Sequence, residues 1–314
     1  HKLRTGGSLQ YSWNLGLGSD FVSLYAYYLA SPLNFLIVLC PKHYVIEFMT
    51  ILVLAKIALC GLTFFLFLKY HFHLIGKDSK LHKNQVIPAL VCSTAYALSG
   101  FVAAYSWDIM WMDCILLFPL IMVGLEKLVR EQKPGLYFVT LALSVFANYY
   151  ISIMICMFMV IYFFALWILE SGRSGRDFVV SGLKFAGYSI LAGGLSAAVL
   201  LPEIFALQMT ASGDVNFPKT VTSYFSIFDM IARHLPIVET EIGLNHWPNL
   251  YCGVAVLLFF LLYLGCRQIR VREKAVYCGL LLLFMASFSI NVLNFIWHGF
   301  HYPNSLPCRQ SFIY

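Results

Sequence analysis

Long apolar runs, each closed by a cluster of polar or turn-forming residues, recur along the whole 314-residue chain. Eight of them have the length and composition of membrane helices: residues 45–68, 86–105, 114–129, 135–149, 151–169, 178–201, 250–266 and 275–296. The fourth and fifth are joined by a very short turn around Asn148, Tyr149 and Tyr150. Between Phe21 and Cys40 the pattern is partly amphipathic and is interrupted at Ser31-Pro32 and Asn34, so it predicts no span. The expected fold class is all-α, a polytopic transmembrane helical bundle of about eight spans. Residues 1–314 are expected to form one membrane domain, with 1–41 part of the first outer loop and 202–249 a long outer loop.

Composition supports this reading: 60% of the residues are hydrophobic and 11% charged, against about 45–50% and about 25% in soluble domains. A soluble globular protein is thereby excluded. The net charge of +6 invites a nucleic-acid reading until the basic residues are placed. Lys69, Lys77, Lys80 and Lys83 follow the first span, and Lys127, Arg130 and Lys133 follow the third. Arg173 and Arg176 follow the fifth, and Arg267, Arg270, Arg272 and Lys274 follow the seventh. When the spans alternate, these loops share one side, which the distribution of Lys and Arg assigns to the cytoplasm. On the outer side Asp20, Glu47, Asp108, Asp113, Glu203, Asp214, Asp229, Glu239 and Glu241 outnumber Lys2, Arg4, Lys42, Lys219, Arg233 and Arg309. The positive charge is topological, and no nucleic-acid partner is expected. Because His1 falls outside without being in a span, and the chain stops at Tyr314 in mid-pattern, a longer protein with a further span upstream is expected.

The nine cysteines are scattered, mostly within spans and never as C-x-x-C, and read as small apolar packing residues. Candidate chemistry gathers on the outer side instead. Asp108 and Asp113 flank Ile-Met-Trp-Met at the mouth between the second and third spans, next to Trp107 and Trp111. A carboxylate beside aromatic faces suits a sugar, whose hydroxyls donate to the acid while its C–H face stacks on the ring. A solvated loop within an interfacial aromatic belt suits the same residues. All tryptophans but Trp167 fall outside, which favours a site, whereas the tyrosines are spread evenly and fit a belt.

Lys56 lies about 11 residues, roughly 16 Å, below the outer end of its span, too deep to snorkel. It needs a partner, either an acid inside the bundle or an anion such as a lipid phosphate. Glu203 follows Pro202 at the end of a span, where a carboxylate can act as a base or stand in water. In the last outer segment, His298 and His301 form an H-x-x-H without a third ligand, weak support for a metal. Arg309 can grip a phosphate with two hydrogen bonds. Gly16-Leu-Gly18 lacks the Lys and the preceding strand of a phosphate loop and reads as a tight turn.

Tyr11-Ser-Trp-Asn-Leu-Gly-Leu-Gly-Ser-Asp20, Tyr25-Ala-Tyr-Tyr-Leu-Ala-Ser-Pro-Leu-Asn-Phe35, Ala95-Tyr-Ala-Leu-Ser-Gly100, Asp108-Ile-Met-Trp-Met-Asp113, Pro303-Asn-Ser-Leu-Pro307 and Arg309-Gln-Ser-Phe-Ile313 occur in this order. Together they resemble the YfhO family of bacterial membrane proteins, across nearly the whole chain. That family is similar to the GT-C class of polytopic membrane glycosyltransferases. The resemblance implies a multi-pass enzyme of the bacterial cell membrane. On the outer face it would move a sugar from a polyprenyl-phosphate carrier to a surface polymer such as lipoteichoic or wall teichoic acid. It also implies a catalytic Asp upstream of the Gly-Leu-Gly segment, before His1. The candidate catalytic residues are Asp108, Asp113, Glu203 and Asp20. The candidate substrate-binding residues are Arg309, Lys56, Trp111, Trp107, His298 and Asn304. No cofactor is expected, and although a divalent metal occurs in this class, no ligand set is legible. The partners are the lipid-linked sugar, the polymer acceptor and membrane lipids. The rival class is a transporter or a lipid-linked sugar flippase, for which two similar halves with interrupted spans are expected; no such repeat is visible.

Overall fold

The computed structural model describes residues 2, 6–14, 16–72, 83–170, 174–208, 216–303 and 305–314. Arg4, Lys77, Lys80, Arg173, Asp214 and the candidate binding residue Asn304 lie outside them. The chain opens with a two-stranded antiparallel hairpin, β1 (Tyr11–Ser12) and β2 (Ser19–Asp20). Gly16 and Gly18, both at positive φ, make its tight turn, as their sequence context predicts. A short helix α1 (Phe21–Leu24), a π-turn at Tyr25–Leu29 and 3-10 turns at Asn34–Leu39 and Lys42–Tyr44 lead to the first long helix.

The helices that follow are α2 (Val45–His71), α3 (Lys83–Ala97), α4 (Gly100–Tyr105), α5 (Ile109–Glu131), α6 (Gly135–Ala147) and α7 (Tyr149–Leu169). Beyond them come α8 (Gly175–Leu195), α9 (Ala197–Gln208), α10 (Ile227–Ala232), α11 (Ala255–Gly265), α12 (Val271–Ser289) and α13 (Asn291–Trp297). The all-α helical membrane class is as expected. Among the described residues, five helical segments are long and apolar enough to cross a membrane: Lys42–His71, Gln85–Tyr105, Ile109–Glu131, Tyr149–Leu169 and Gly175–Leu195. Gly135–Ala147, Ala197–Gln208 and Ala255–Gly265 are apolar but shorter. A 13-residue helix such as α6 covers about 20 Å, less than the roughly 30 Å of a hydrocarbon core.

Asn148 turns extended and divides α6 from α7, at the very short turn expected there. Where apolar runs expected to be continuous are cut, a side chain or a backbone contact does the cutting. The 178–201 run breaks at Ser196, whose hydroxyl donates to the Ala142 carbonyl at 3.1 Å. The 250–266 run becomes helical only at Ala255, because Tyr251 accepts the Gly100 N–H at 2.5 Å and Gly253 takes a positive φ. The last run breaks at Ile290, which forms a bridge with Ser223.

The core is built around α5, which is buried nearly all round and packs on α2, α6 and α7. Gly124 makes its approach to α6 possible: a Cβ there would sit 2.5 Å from the Tyr137 backbone nitrogen. At the lysine-rich end Glu126 accepts hydrogen bonds from Tyr162 (2.6 Å) and Arg130 (2.7 Å) and lies 2.6 Å from His71 Nδ1. Arg130 also reaches Glu170 at 2.7 Å. This network ties α2, α5 and α7 together.

Two boundaries on the side expected to face outward differ from expectation. The loop expected over Ser106–Asp113 is only three residues wide, since α5 begins at Ile109 and carries Asp113 within its first turns. A buried carboxylate is tolerated there because Lys56 faces it. Secondly, the segment after Trp297 is not a solvated tail. A 3-10 turn at Arg309–Ile313 folds back into the bundle, with Phe312 against Phe101 and Phe118, and Tyr314 against Phe284 and Phe288.

Candidate functional site

Asn148 organises the mouth at the end of the bundle expected to face outward. Its Oδ1 accepts from the Ile151 N–H at 2.9 Å, capping α7, and its Nδ2 donates to the Tyr27 carbonyl at 3.0 Å. One side chain thus fixes Tyr149 and Tyr150 at the start of α7 and holds the π-turn against them. The Tyr27 ring lies 6.1 Å from that of Tyr149 and 6.3 Å from that of Tyr150. The Trp111 Nε1–H donates to the Tyr27 hydroxyl at 3.3 Å.

The returning C-terminal segment brings Arg309 to the other side of this aromatic row. Its guanidinium carbon lies 5.3 Å from the Trp111 ring centre and 5.0 Å from that of Tyr150. Nε and an Nη donate to the Leu306 and Ser305 carbonyls at 3.1 and 3.0 Å. The backbone that carries it is unusual, because Leu306 and Cys308 both occupy the left-handed region, at φ 57° and 52°. Non-glycine residues persist there only where neighbours over-determine the conformation. Here Tyr105 donates to the Pro307 carbonyl at 2.7 Å, and the Arg309 N–H donates to His298 Nε2 at 3.4 Å. Burial pushes the His298 imidazole down to about 3, so it is neutral at ordinary pH, with Nδ1 donating to the Asn294 carbonyl at 2.7 Å. His298 positions Arg309 from behind.

A carboxylate stands at each end of the row. Asp108, at the N-terminus of α5, is 4% exposed, and its Oδ2 has no hydrogen-bond partner. Burial raises its pKa to about 6, against the opposing pull of the Arg309 charge. At the far end Glu203, beyond the span on α9, accepts the Tyr149 hydroxyl at 2.7 Å through Oε1 and leaves Oε2 without a partner. Burial raises its pKa; the Tyr149 hydrogen bond opposes this and the nearby Asp20 charge adds to it. The arrangement presents a cation laid over aromatic faces, three tyrosines and a tryptophan, and two acceptor oxygens awaiting donors.

The structure thus brings together Asp108, Trp111, Glu203, Arg309 and, from behind, His298. Other candidates fall elsewhere. Lys56 is fully buried and spends its ammonium hydrogens on Asp113 Oδ2 (2.5 Å), Asn34 Oδ1 (2.8 Å) and the Ile109 carbonyl (2.9 Å). Its required partner is therefore Asp113, and no hydrogen remains for a lipid phosphate. Asp20 caps α1 by accepting from the Val22 and Ser23 N–H groups and the Ser23 hydroxyl; the Ser23 hydroxyl bond does most to hold its carboxyl below the usual range. Trp107 is 58% exposed, its Nε1–H given to the Ala104 carbonyl at 2.8 Å. Among the described residues no group of three His, Cys, Asp or Glu is placed to hold a metal ion.

Sequence reasoning missed Tyr27, Tyr149 and Tyr150, which an even distribution assigned to the interfacial belt. The pair following Asn148 in so short a turn was the available signal, because a tight outer turn confines the residues after it to the mouth.

A family model described as bacterial membrane protein YfhO matches residues 1–314. An uncharacterized protein YfhO of Bacillus subtilis (strain 168) is 23% identical over 216 residues, which cover 64% of this chain and 24% of that relative. The chain therefore aligns with about a quarter of the relative's length. No solved structure matches.

Proposed function

Starting from the fact that the chain belongs to the YfhO family of bacterial membrane proteins, we propose that it contributes the outer-face site of a cell-membrane glycosyltransferase of GT-C type. The donor is a sugar on polyprenyl phosphate and the acceptor a surface polymer of the teichoic-acid kind. The observation that carries this reading is the row running from Asp108 and Arg309, across Trp111, Tyr150, Tyr27 and Tyr149, to Glu203. Arg309 is placed to take a phosphate, the aromatic rings to stack on a pyranose, and the two acids to accept hydroxyl hydrogens.

In a direct displacement the acceptor oxygen bonds to the anomeric carbon as the carbon–oxygen bond to phosphate breaks. The bonding pair leaves on polyprenyl phosphate, and the acceptor proton goes to a base. Nucleophile and leaving group occupy opposite faces of that carbon, so the acid remote from Arg309 suits the base. Glu203 is that acid, and its raised pKa strengthens it as a proton acceptor. Asp108 then orients a sugar hydroxyl, and Arg309 stabilises the charge growing on the phosphate.

The test uses membranes holding the full-length protein, labelled polyprenyl-phosphate sugar and a glycerol-phosphate or ribitol-phosphate polymer. Label is expected in the polymer, with a loss of about 100-fold or more in Glu203→Gln and Arg309→Ala. If Glu203→Gln transfers normally while Arg309→Ala fails, the base comes from elsewhere in the longer protein. If the labelled carrier only changes leaflet, the transferase reading is wrong and a flippase replaces it.

A further inference from the structure

On the opposite side of the membrane, α2 and α5 part to leave a groove of about 380 Å³, closed by Leu136 of α6. Leu66, Lys69 and Tyr70 line it from α2, and Leu120, Val123 and Lys127 from α5. These spacings of three, four and seven residues put each set on one helix face. Both helices run towards the lysine-rich side, so both lysines sit at the cytoplasmic end and the leucines deeper. Along the helix axes Lys69 lies about 4.5 Å beyond Leu66, and Lys127 about 10 Å beyond Leu120.

The groove lining contains two cations and no acid. Among the described residues neither lysine forms a salt bridge. Glu126, next to Lys127 in sequence, is engaged by Arg130 and His71, and Glu131, four residues on and within reach of the Lys127 charge, accepts from Lys133 at 2.9 Å and from the Tyr70 hydroxyl at 2.7 Å. The Lys127 ammonium lies 5.2 Å from the ring centre of Tyr70, itself a lining residue.

We propose that this groove binds an anionic phospholipid of the cytoplasmic leaflet. Its phosphate sits between Lys69 and Lys127, and an acyl chain runs along Leu66, Leu120, Val123 and Leu136. The polarity gradient is what selects this occupant: two cations at the aqueous end and an apolar floor towards the bilayer centre match one lipid end to end. A basic pocket between helices on the cytoplasmic side is a recognised form of anionic headgroup recognition. The site is remote from the outer-face residues and does not depend on their function.

The test takes the delipidated full-length protein in neutral detergent and titrates it with phosphatidylglycerol or phosphatidylcholine, counting bound lipid by native mass spectrometry. The wild type is expected to prefer phosphatidylglycerol by about 10–30-fold. Lys69→Gln with Lys127→Gln should reduce that preference to near unity, whereas Lys69→Arg with Lys127→Arg should keep it. Leu120→Trp, which fills the groove and spares both lysines, should lose the tight lipid. Should the glutamine pair fail to fold, Leu120→Trp and the arginine pair decide the matter. The proposal is overturned if the preference survives the glutamine pair or Leu120→Trp, or if inorganic phosphate displaces phosphatidylglycerol, which would make the site one for the free ion.

Discussion

Asp108→Asn should make the protein more stable at neutral pH. The carboxyl is buried, with one oxygen lacking any donor, and its pKa rises from 3.8 to about 6. A carboxyl whose folded pKa exceeds its unfolded value favours the folded state when protonated. That stabilisation is fully present below about 3.8 and is lost as pH rises through about 6. At about 1.4 kcal/mol per pKa unit, the ionised side chain costs about 3 kcal/mol at pH 7. Asparagine removes the charge but leaves an amide with the same lack of partners, so the net gain is about 1–3 kcal/mol. The assay is thermal unfolding of the full-length protein in detergent, wild type and variant side by side from pH 4 to 7.5. Only the difference between the two curves is read, because other groups titrate in common. It should be small at pH 4 and widen through pH 6. A difference that stays flat, or a variant less stable than wild type at pH 7.5, would refute the argument that Asp108 is held charged at a cost.

The Lys56–Asp113 pair yields a double-mutant cycle. Asp113→Leu alone strands a buried ammonium and should cost about 3–5 kcal/mol, whereas Lys56→Met with Asp113→Leu should return to within about 1 kcal/mol of wild type. A double variant as unstable as the single one contradicts the pairing. Asn148→Ala loses both a helix cap and the bond to Tyr27, for about 2 kcal/mol together. Asn148→Ser, which keeps a neutral cap but cannot reach the Tyr27 carbonyl, should lose about half of that by the same unfolding measurement.

Much of the helical plan is legible in the chain because a bilayer imposes a length on its spans, and runs such as 45–68 and 151–169 meet it. The boundaries that escaped are set by tertiary contacts. Ser196 breaks its run by bonding across to Ala142, and α11 starts late because Tyr251 is occupied with Gly100. Asp113 reads as a loop acid until the ammonium opposite it is known. At the outer mouth, Asp108, Trp111, Glu203 and Arg309 announce themselves through residue types that are expensive or distinctive near a membrane. The tyrosines do not, since a tyrosine at an interface needs no special reason. What converts three of them into part of a site is the Asn148 side chain bonded to a carbonyl far back in the sequence, at Tyr27. No local pattern encodes that contact.

The Lys56–Asp113 pair also bears on how the protein is made. The two residues are 57 positions apart, so during synthesis the lysine is made before its counter-ion. A lysine at the centre of a helix costs about 2.5–3.5 kcal/mol at insertion, which the leucines and isoleucines of α2 offset at about 0.3–0.6 kcal/mol each. The helix is thus apolar enough to insert alone but not to bury its cation alone. A nascent chain interrupted before Asp113 leaves the ammonium with Asn34 but no counter-ion, and one that continues neutralises it. The pair makes arrival of α5 the event that commits the growing bundle to its core.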